Sequence, residues 1–539
     1  MIIKDSNISK ISSSFYLFCN FKENKIKSIS IYDDNQFYYT SNLDTINDLK
    51  DKIEQSKIIA YGIIEYLDYY NLSKFCDIQN LIYRSDTNNK DINIFDALSK
   101  FLDIKVDSNQ LKYKECELIV SNLPKLYDRF QDQDNSNNSI DISLYKIFKK
   151  IENRGIKVDK NIIYQINNQL EEDNIEYYKN KVDKLEKLLD NDNIFHPKFC
   201  LHSSFSGRFS SINFNIQSIE RNDLKNKNST VHSLRRAFVA RDNYLLVSFD
   251  YDNLDAIVAY SIIQDQKWID IYNEGKNIYV ELAKALFKVD IKKDSPHYTI
   301  CKTVFFNIIF GGGINRLSDS LKTTKEKATS LMQHWWEINN KLKQFIDKVS
   351  SDAKSNPINT YLLKRYRTLN ESESYKSISH IVQGTAADIL RIVILKIEKY
   401  IKDNNLDAFQ LLNIHDELIF EVPEKNYKDY INKLQNIINI HVKTLNLQLR
   451  SKVKVGYSWY DLKNIEEFTL KEEKEDKIFE YKIKDLNFNT LKGRKLINLI
   501  KKSSGDDAFL KLITHDKNFL IIKDFKIDIE KFNNEILKL

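Results

Sequence analysis

The chain has 539 residues, more than one simple hydrophobic core usually holds, so we expect two or three domains. Hydrophobic residues make up 42% and charged residues 29%, and this balance excludes a generally disordered chain. The net charge of +6 is compatible with a phosphate-bearing partner, but a lysine-rich solvated surface gives the same sum. The five cysteines are scattered without a CxxC pair, which indicates reduced thiols rather than disulfides or a zinc site.

The sequence predicts no membrane association. No apolar stretch reaches the roughly 20 residues that a membrane span needs. The N-terminal residues MIIKDSNISK lack the apolar core of a signal peptide. We therefore expect a soluble protein in a cytoplasm, either bacterial or that of a phage-infected host, with an organelle not excluded.

Several regions with different patterns follow one another along the chain. In residues 1–130, FYLFCNF, KSISIY and KIIAYGII predict strands and DALSKFLDI predicts a helix, which indicates a small α/β unit. The turn-rich stretch QDQDNSNNSID at 131–141 is typical of a linker. Helical spacing then dominates, interrupted by predicted strands near 244–250, 409–422 and 452–458.

Two predicted strands run directly into carboxylates. YLLVSF is followed by Asp250, and LLNIHDELIFEV places His415, Asp416 and Glu417 at the apex of a predicted hairpin. Each pattern alone has an ordinary explanation, a helix N-cap for the first and a polar turn for the second. Together, carboxylates at two strand ends could share a pair of Mg²⁺ ions with substrate phosphates. Such a pair supports an in-line phosphoryl displacement.

Between these strands, HYTICKTVFFNIIFGGG predicts an apolar helix that ends in glycines. Lys302, Phe306 and Phe310 are four residues apart and therefore share one face. A single lysine on such a helix is most often a solvated surface residue. A cation and two aromatic rings on one face could also hold a nucleotide, with charge for the triphosphate and rings for base and sugar.

These segments resemble the motifs of family A DNA polymerases, the DNA polymerase I type. VHSLRRAFVARDNYLLVSFDYDNLD resembles the stretch leading into motif A, DYSQIE, and NIHDEL resembles the QVHDEL of motif C. KTVFFNIIFGGG resembles motif B and is nearest to its phage replicative branch. SGRFSSINFNIQSI resembles TGRLSSxxPNLQNI, and QGTAADI matches as it stands. Five ordered motifs make the resemblance specific.

The resemblance implies an α+β multidomain fold, a right-hand polymerase with palm, fingers and reduced thumb behind a degenerate RNase H-like α/β exonuclease domain. It implies template-directed addition of dNTPs to a primer 3′-hydroxyl with two Mg²⁺ ions, for which Mn²⁺ can substitute. The implied partners are primer-template DNA, dNTPs and a processivity partner. The implied domains are 1–130 (exonuclease-like), 131–141 (linker), 142–205 (reduced thumb and approach to the palm), 206–264 (palm, motif A), 265–375 (fingers, motif B), 376–464 (palm, motif C) and 465–539 (an extension of unknown role).

The same resemblance implies roles for individual residues. Asp250 and Asp416 would bind the metal ions together with Tyr251, Glu417 would assist with metal or water, and Lys302 would meet the triphosphate. These four charged residues are the implied catalytic group. The other implied nucleotide contacts are Tyr251, Asp255, His297, Tyr298, Phe306 and Phe310, and the implied DNA contacts are Arg208, Asn215, Gln217, Gln383 and His415.

The chain departs from the family pattern at the nucleotide site. Tyr298 stands where the family has an arginine aimed at the phosphates, and His297 or Lys293 would have to substitute. Asp255 replaces the glutamate that blocks the ribose 2′-hydroxyl and is one methylene shorter, so we expect weaker exclusion of ribonucleotides. Phe306 is associated with rejection of dideoxynucleotides. The arginine that follows the gate in motif A is replaced by Ile257.

Further departures concern the thumb, the exonuclease and the tail. The interval between GIKVD and SGR is short, which predicts a reduced thumb. FYLFCNFKEN lacks the DxE pair of a proofreading nuclease, and the later acid positions align with Gly62 and Tyr66. We therefore expect no proofreading, with Glu65 and Asp68 as the remaining candidates for metal binding. The tail residues Lys492, Arg494, Lys495, Lys501 and Lys502 suit either phosphate contacts or a solvated face.

Two alternative functions stay open at this point. A single-subunit RNA polymerase-like enzyme shares the metal chemistry, but the DNA-type motif C and the acid at position 255 argue against it. A catalytically inactive DNA-binding scaffold is the other alternative. Retention of Asp250, Asp416 and Lys302 argues against it.

Overall fold

The computed structural model describes residues 8–470 except 23–24, 109–110, 134–135, 174, 223, 227–228 and 294, together with strands at 479–481 and 520–522. The chain divides into two compact units, residues 1–467 and 468–539. In the smaller unit, Phe479–Tyr481 pairs antiparallel with Leu520–Ile522. The basic tail residues between 492 and 502 lie outside the described residues, so the prediction of phosphate contacts there stays untested.

A mixed sheet forms the core of the N-terminal segment. The elements are β1 Ser14–Lys22, β2 Lys25–Asp33, β3 Gln36–Thr40, α1 Leu43–Gln55, β4 Lys57–Ala60, β5 Lys74–Asp77, α2 Ile78–Ser85, α3 Ile94–Leu102 and α4 Tyr113–Phe130. The strand order is β3-β2-β1-β4-β5, in which β1 runs antiparallel to β2 and parallel to β4. Leu17, Ile29 and Ile58 are fully buried between this sheet and its helices. The segment is the α/β unit that its strand and helix patterns predicted.

Short strands and helices connect this segment to a second large sheet. These are α5 Ser136–Arg154, β6 Ile156–Val158, α6 Lys160–Asp173, α7 Glu176–Glu186, β7 Ile194–Phe195, β8 Lys198–Cys200, β9 Ser210–Ile212, β10 Leu224–Asn226, β11 Ser229–Val231 and β12 Phe238–Val239. β6 lies between β12 and β7 in a small sheet. Helices α6 and α7 pack against each other.

The predicted linker at 131–141 is wrong, because α5 begins inside it at residue 136. Asp141 is fully buried on this helix. One oxygen of its carboxylate accepts a hydrogen bond from Arg84 at 2.8 Å, and the other accepts one from Arg391. The polar composition misled the prediction, since Asp141 is paired with buried cations from distant segments rather than with water.

The second large sheet and the helices around it occupy residues 244–464. The elements are β13 Tyr244–Tyr251, α8 Leu254–Ile262, α9 Gln266–Asn273, α10 Ile278–Phe287, α11 Pro296–Ile309, α12 Ile314–Leu321, α13 Lys325–Ile338, α14 Asn340–Asp352, β14 Ile358–Asn359, β15 Tyr366–Arg367, α15 Ser377–Asp403, β16 Phe409–Ile414, β17 Glu417–Pro423, α16 Tyr427–Ile438, β18 His441–Val442, β19 Leu447–Gln448, β20 Ser451–Gly456 and β21 Lys463–Asn464. The sheet is antiparallel, in the order β16-β17-β13-β20-β21. Its buried strands carry the apolar runs that predicted them, and α16 packs on β13, β17 and β20.

Helix α15 passes through the centre of the fold and packs against α5, α8, α14 and α16. With the turn before it, residues Glu371–Asp403, it is long and apolar enough to cross a membrane. This corrects the prediction that no stretch has that character. However, 83% of its most apolar window is buried inside the protein, so its composition is explained by packing against helices.

A buried ion network joins the N-terminal segment to the rest of the larger unit. Asp141 lies between Arg84 of α2 and Arg391 of α15, and all three side chains are at most 1% exposed. Arg365 pairs with Asp388 in the same region, and both side chains are fully buried. Burial raises the pKa of Asp141, but Arg391 and Arg84 outweigh this effect and lower the pKa to about 2. The carboxylate is therefore charged in the folded protein.

Replacing Asp141 by alanine tests this network. The variant leaves two buried guanidinium groups without their shared carboxylate, and breaking such a pair typically costs about 3–5 kcal/mol. We expect the free energy of unfolding, from urea denaturation, to fall by about that amount. Because the folded pKa of Asp141 is depressed, the difference between wild type and variant should shrink as the pH falls towards about 2.

Asp242→Ala is the matched control, since the carboxylate of Asp242 pairs with Lys157 but its side chain is 90% exposed. Its effect on the free energy of unfolding should stay below about 1 kcal/mol. Equal stability of the two variants at neutral pH would contradict a stabilising role for the network.

Candidate active site

The end of β13 and the β16–β17 hairpin bring Asp250 and Asp416 to the same edge of the sheet. Ile414 pairs with Glu417 across the turn, so only His415 and Asp416 form the loop. The φ angle of His415 is +57°, as two-residue hairpin loops of this kind require. The backbone N–H of Tyr251, which follows Asp250, donates to the carbonyl of Asp416 at 3.4 Å. The hairpin apex is thereby attached to the end of β13.

Burial and neighbouring carboxylates disfavour the charged forms of Asp416 and Asp250. Burial, and then the nearby Asp250 and Asp255 carboxylates, raise the pKa of Asp416 to about 7. Burial and then Glu417 raise the pKa of Asp250. Lys452 lowers the pKa of Asp250 and Arg208 lowers that of Asp416, but both pKa values stay raised. Each of these cations is also paired with another carboxylate, Lys452 with Asp252 and Arg208 with Asp255. A site whose carboxylates are only partly offset by nearby positive charge fits a divalent cation.

The carboxylates of Asp250 and Asp416 fit an Mg²⁺ site better than a site whose ligands all come from the protein. Among the described residues, one group of three His, Cys, Asp or Glu ligand atoms lies within 4.8 Å of one another, on Asp91, Cys200 and His202. The carboxylates at the end of β13 do not form a group of three ligands this close together. Mg²⁺ commonly uses one or two protein carboxylates and completes its shell with substrate phosphates and water. Asp250 and Asp416 therefore fit this cation.

Glu417 lies opposite Asp250 in the pairing of β13 with β17. Its buried carboxylate accepts a hydrogen bond from the hydroxyl of Ser248, two residues earlier on β13. This hydrogen bond fixes the side chain within the sheet. Glu417 acts on Asp250 through its charge, and its predicted assistance with metal or water stays a prediction.

Asp255, in the first turn of α8, forms an ion pair with Arg208 through one guanidinium nitrogen. The guanidinium donates to both carboxylate oxygens at 2.9 and 3.0 Å, and Asp255 is 8% exposed. The pair lies beside the hairpin apex, since both charges act on Asp416. Sequence reasoning gave each residue a separate role and missed the pair. The two residues are 47 positions apart, and no local pattern signals such pairing.

Helix α11 presents the predicted face of one cation and two rings. The ammonium of the exposed Lys302 lies 5.9 Å from the centre of the Phe306 ring. The rings of Phe306 and Phe310 stack with centres 5.9 Å apart and an angle of 27°. The ring of Tyr279 on α10 lies 6.1 Å from that of Phe306. The chain therefore offers a charged and aromatic surface along α11, with Lys302 and Phe310 exposed.

The other predicted nucleotide contacts are less available. Tyr298 is 8% exposed and packs edge-on against Tyr279, so its ring belongs to the core of the helices. Tyr251 is also buried, and its hydroxyl donates to the carbonyl of Ile438 at 2.8 Å. His297 is exposed on α11, where its ring packs against that of Phe287 at 4.5 Å.

The predicted DNA contacts divide into exposed and inward-facing groups. Asn215 and His415 are exposed. The amide of Gln217 donates to the carbonyls of Asn413 and Phe209 at 3.0 and 3.1 Å, so it also holds the chain to β16. Gln383 on α15 is 5% exposed, and its side-chain nitrogen has no hydrogen-bond partner among the described residues.

Comparison with known proteins gives a family for this site. The family model of DNA polymerase family A matches residues 135–461. The chain belongs to DNA polymerase family A. The match includes every residue to which the motifs gave a role, while 1–134 and 462–539 lie outside it. The nearness to the phage branch stays a prediction.

The family A relatives share only part of their length with this chain. DNA polymerase I of Borreliella burgdorferi is 30% identical over 279 residues, which are 49% of this chain and 30% of the relative. The thermostable DNA polymerase I of Thermus aquaticus is 28% identical over 280 residues, 50% of this chain and 33% of the relative. The polymerase domain of Pol1 from M. smegmatis, solved with DNA primer-template and dNTP, superposes with a TM-score of 0.70 at 18% identity. It covers 85% of this chain and 97% of that domain, and the likeness shows the fold.

Thermal unfolding with and without a divalent cation tests the carboxylate pair. Mn²⁺ at 100 times its dissociation constant should stabilise the intact family A chain by about 2.7 kcal/mol and raise its melting temperature by a few degrees. Asp416→Asn should lose most of that gain. In EDTA the variant should melt no lower than wild type, because one of two repelling charges is gone.

Asp407→Asn is the control, since Asp407 accepts a hydrogen bond from Tyr244 at the opposite end of β13. It should respond to Mn²⁺ as wild type does. An equal response of Asp416→Asn would show that the cation binds elsewhere.

Proposed function

We propose that this family A chain is a template-directed DNA polymerase that adds dNTPs to a primer 3′-hydroxyl with two divalent metal ions, Mg²⁺ or in its place Mn²⁺. The observation that carries the proposal is the placement of Asp250 and Asp416 at one sheet edge with raised pKa values, which the nearby Lys452 and Arg208 offset only in part. When bound, the metal ions supply activation of the attacking oxygen and stabilisation of the phosphoryl charge. Tyr251 contributes to metal binding through its backbone, since its side chain is in the core.

The remaining residues bind and orient the nucleotide. Lys302 contacts the triphosphate from the exposed face of α11, and the Phe306 ring beside it lies against the sugar. Phe310 stacks near the new base pair. Tyr298 is buried where the family has an arginine, so Lys302 supplies the positive charge on this helix face, with Lys293 and His297 exposed nearby.

The primer-template is held near the same edge. His415, exposed at the hairpin apex, contacts the primer terminus, and Arg208, Asn215, Gln217 and Gln383 contact the strands close to it. Minor-groove acceptors are nearly independent of sequence, so contacts there accept any correct base pair. The relatives named DNA polymerase I and the fold shared with a domain solved with primer-template and dNTP support these ligands.

The architecture supports a right-hand assignment. The antiparallel sheet of β13, β16, β17, β20 and β21 would be the palm, and helices α9–α14 would be the fingers within 265–375. Helices α6 and α7, of 14 and 11 residues, would be the reduced thumb within 142–205. Two short helices grip little duplex, which supports low unaided processivity and the use of a processivity partner.

The N-terminal sheet would be an RNase H-like domain without proofreading chemistry. Asp77 at the end of β5 is fully buried and accepts hydrogen bonds from the backbone N–H groups of Gly62, Ile63 and Gln79. Glu65 and Asp68 are the remaining candidates for metal binding, and Asp68 is paired with Lys149. Asp77 and Asp68 are therefore engaged by groups of the protein, while Glu65 is exposed and has the charge of Asp68 nearby.

Primer extension on a defined template with Mg²⁺ tests the proposal. Intact protein should add dNTPs as the template dictates, and Asp416→Ala should reduce the rate by at least about 1,000-fold, since a metal-binding carboxylate is lost. The primer should remain stable without nucleotide if proofreading is absent. Asp407→Ala should extend as wild type does.

The same assay separates the alternatives. Preferential use of rNTPs would favour an RNA polymerase-like enzyme. Binding of primer-template without extension by the intact protein would favour an inactive scaffold.

Lengthening the gate at Asp255 tests nucleotide selection. Asp255→Glu adds one methylene, and such a change typically alters selectivity about 10-fold or more. We expect the ratio of kcat/KM for dNTP over rNTP to rise by about that factor. Asp252→Glu, whose carboxylate pairs with Lys452 and Arg450, should leave the ratio unchanged. A ratio unaffected by Asp255→Glu would mean that Arg208 keeps this side chain away from the ribose.

A further inference from the structure

A cleft of about 800 Å³ adjoins the glycine end of α11. It is lined by chain segments that are distant in sequence, including one residue of the N-terminal segment, Lys90. The φ angle of Gly311 is +68°, and a Cβ atom there would lie 2.5 Å from the ring of Tyr375. Its basic lining residues are Lys90, Arg316, Arg367 and Lys376.

The cleft has the chemistry of a surface for single-stranded nucleic acid. Four of its described lining residues are basic and none is acidic. The rings of Phe205, Phe310 and Tyr375 are 39%, 40% and 46% exposed, which is unusual for large aromatic side chains. Positive charge interleaved with exposed rings is how proteins bind unpaired strands. The unpartnered amide of Gln383, 5% exposed, provides a buried hydrogen-bond donor in the same cleft.

Lys90 reaches this cleft because its loop, residues 86–91, is fastened to the polymerase part of the chain. The Lys90 ammonium lies 4.3 Å and the Arg367 guanidinium 4.4 Å from the centre of the Phe205 ring. The amide of Asn88 donates to the carbonyl of Thr368 at 2.5 Å, and Arg367 donates to the Asn88 side chain at 3.3 Å.

The loop 86–91 and the end of α2 before it are hydrogen-bonded to residues 202–204, which lie between β8 and β9. The backbone N–H of Asp91 donates to the carbonyl of His202 at 3.2 Å, and Tyr83 donates to the carbonyl of Ser204 at 2.8 Å. Arg84, two residues before the loop, forms the buried ion pair with Asp141. The loop is thus held from two sides, and the position of Lys90 is set by the fold.

We propose that the loop 86–91 forms one wall of the path of the unpaired template strand, with Lys90 binding a phosphate ahead of the templating base. This inference rests on the proposed polymerase function. Phe310 belongs both to this cleft and to the nucleotide-binding face of α11, so a strand in the cleft leads directly to the new base pair. The N-terminal segment thereby serves template binding, a role that needs no nuclease chemistry.

Binding to two DNAs tests the role of Lys90 by fluorescence anisotropy. One DNA is a primer-template with a template overhang of about 10 nucleotides, and the other is the same duplex with blunt ends. Lys90→Ala should weaken binding of the first about 3- to 10-fold and leave the second unchanged. The slope of log affinity against log salt should fall by about 0.7, as expected for one lost contact to a single strand.

Two further variants make the result specific. Lys90→Arg keeps the charge and should retain the affinity for the overhang DNA. Lys57→Ala removes an exposed lysine of the same N-terminal sheet that does not line the cleft, and it should bind both DNAs as wild type does. An equal loss on both DNAs, or no loss with Lys90→Ala, would overturn the inference alone. Failure of wild type to bind either DNA would overturn the proposed function as well.

Discussion

The candidate site depends on one electrostatic constraint, the convergence of Asp250 and Asp416 at one sheet edge. The antiparallel register that puts Asp250 opposite Glu417 leaves the hairpin apex beside the end of β13. The cost of this arrangement is visible in the pKa of Asp416, raised to about 7. Lys452 and Arg208 are paired with Asp252 and Asp255 and offset this cost only in part, so a bound divalent ion is the group that would complete the site.

A second buried charge cluster explains why the N-terminal segment belongs to the polymerase. Arg84 and Arg391 share the carboxylate of Asp141, and none of the three is more than 1% exposed. Removing the N-terminal segment would take away one guanidinium and expose the packing behind it. The same junction carries the loop with Lys90 into the cleft next to Phe310. The N-terminal segment thus has a structural role at this junction, and Lys90 is its contribution to the lining of the cleft.

Much of the site could be predicted because its signals are local. Apolar strands that end in acids gave Asp250 and Asp416, and four-residue spacing gave the shared face of Lys302 and Phe306. Pairings between distant segments have no such signal, so the ion pair of Arg208 with Asp255 was missed. The stretch 131–141 misled for the same reason, because composition does not show that a polar residue has a buried partner. The burial of Tyr298 also depends on helix packing that periodicity does not specify.

The most direct measurement of the central claim is anomalous diffraction from crystals of the protein with primer-template DNA, a non-hydrolysable dNTP and Mn²⁺. Two Mn²⁺ peaks roughly 3.5–4 Å apart are expected, both within coordination distance of Asp250 or Asp416. No peak at these carboxylates, or a single peak at Asp91, Cys200 and His202, would contradict the central claim.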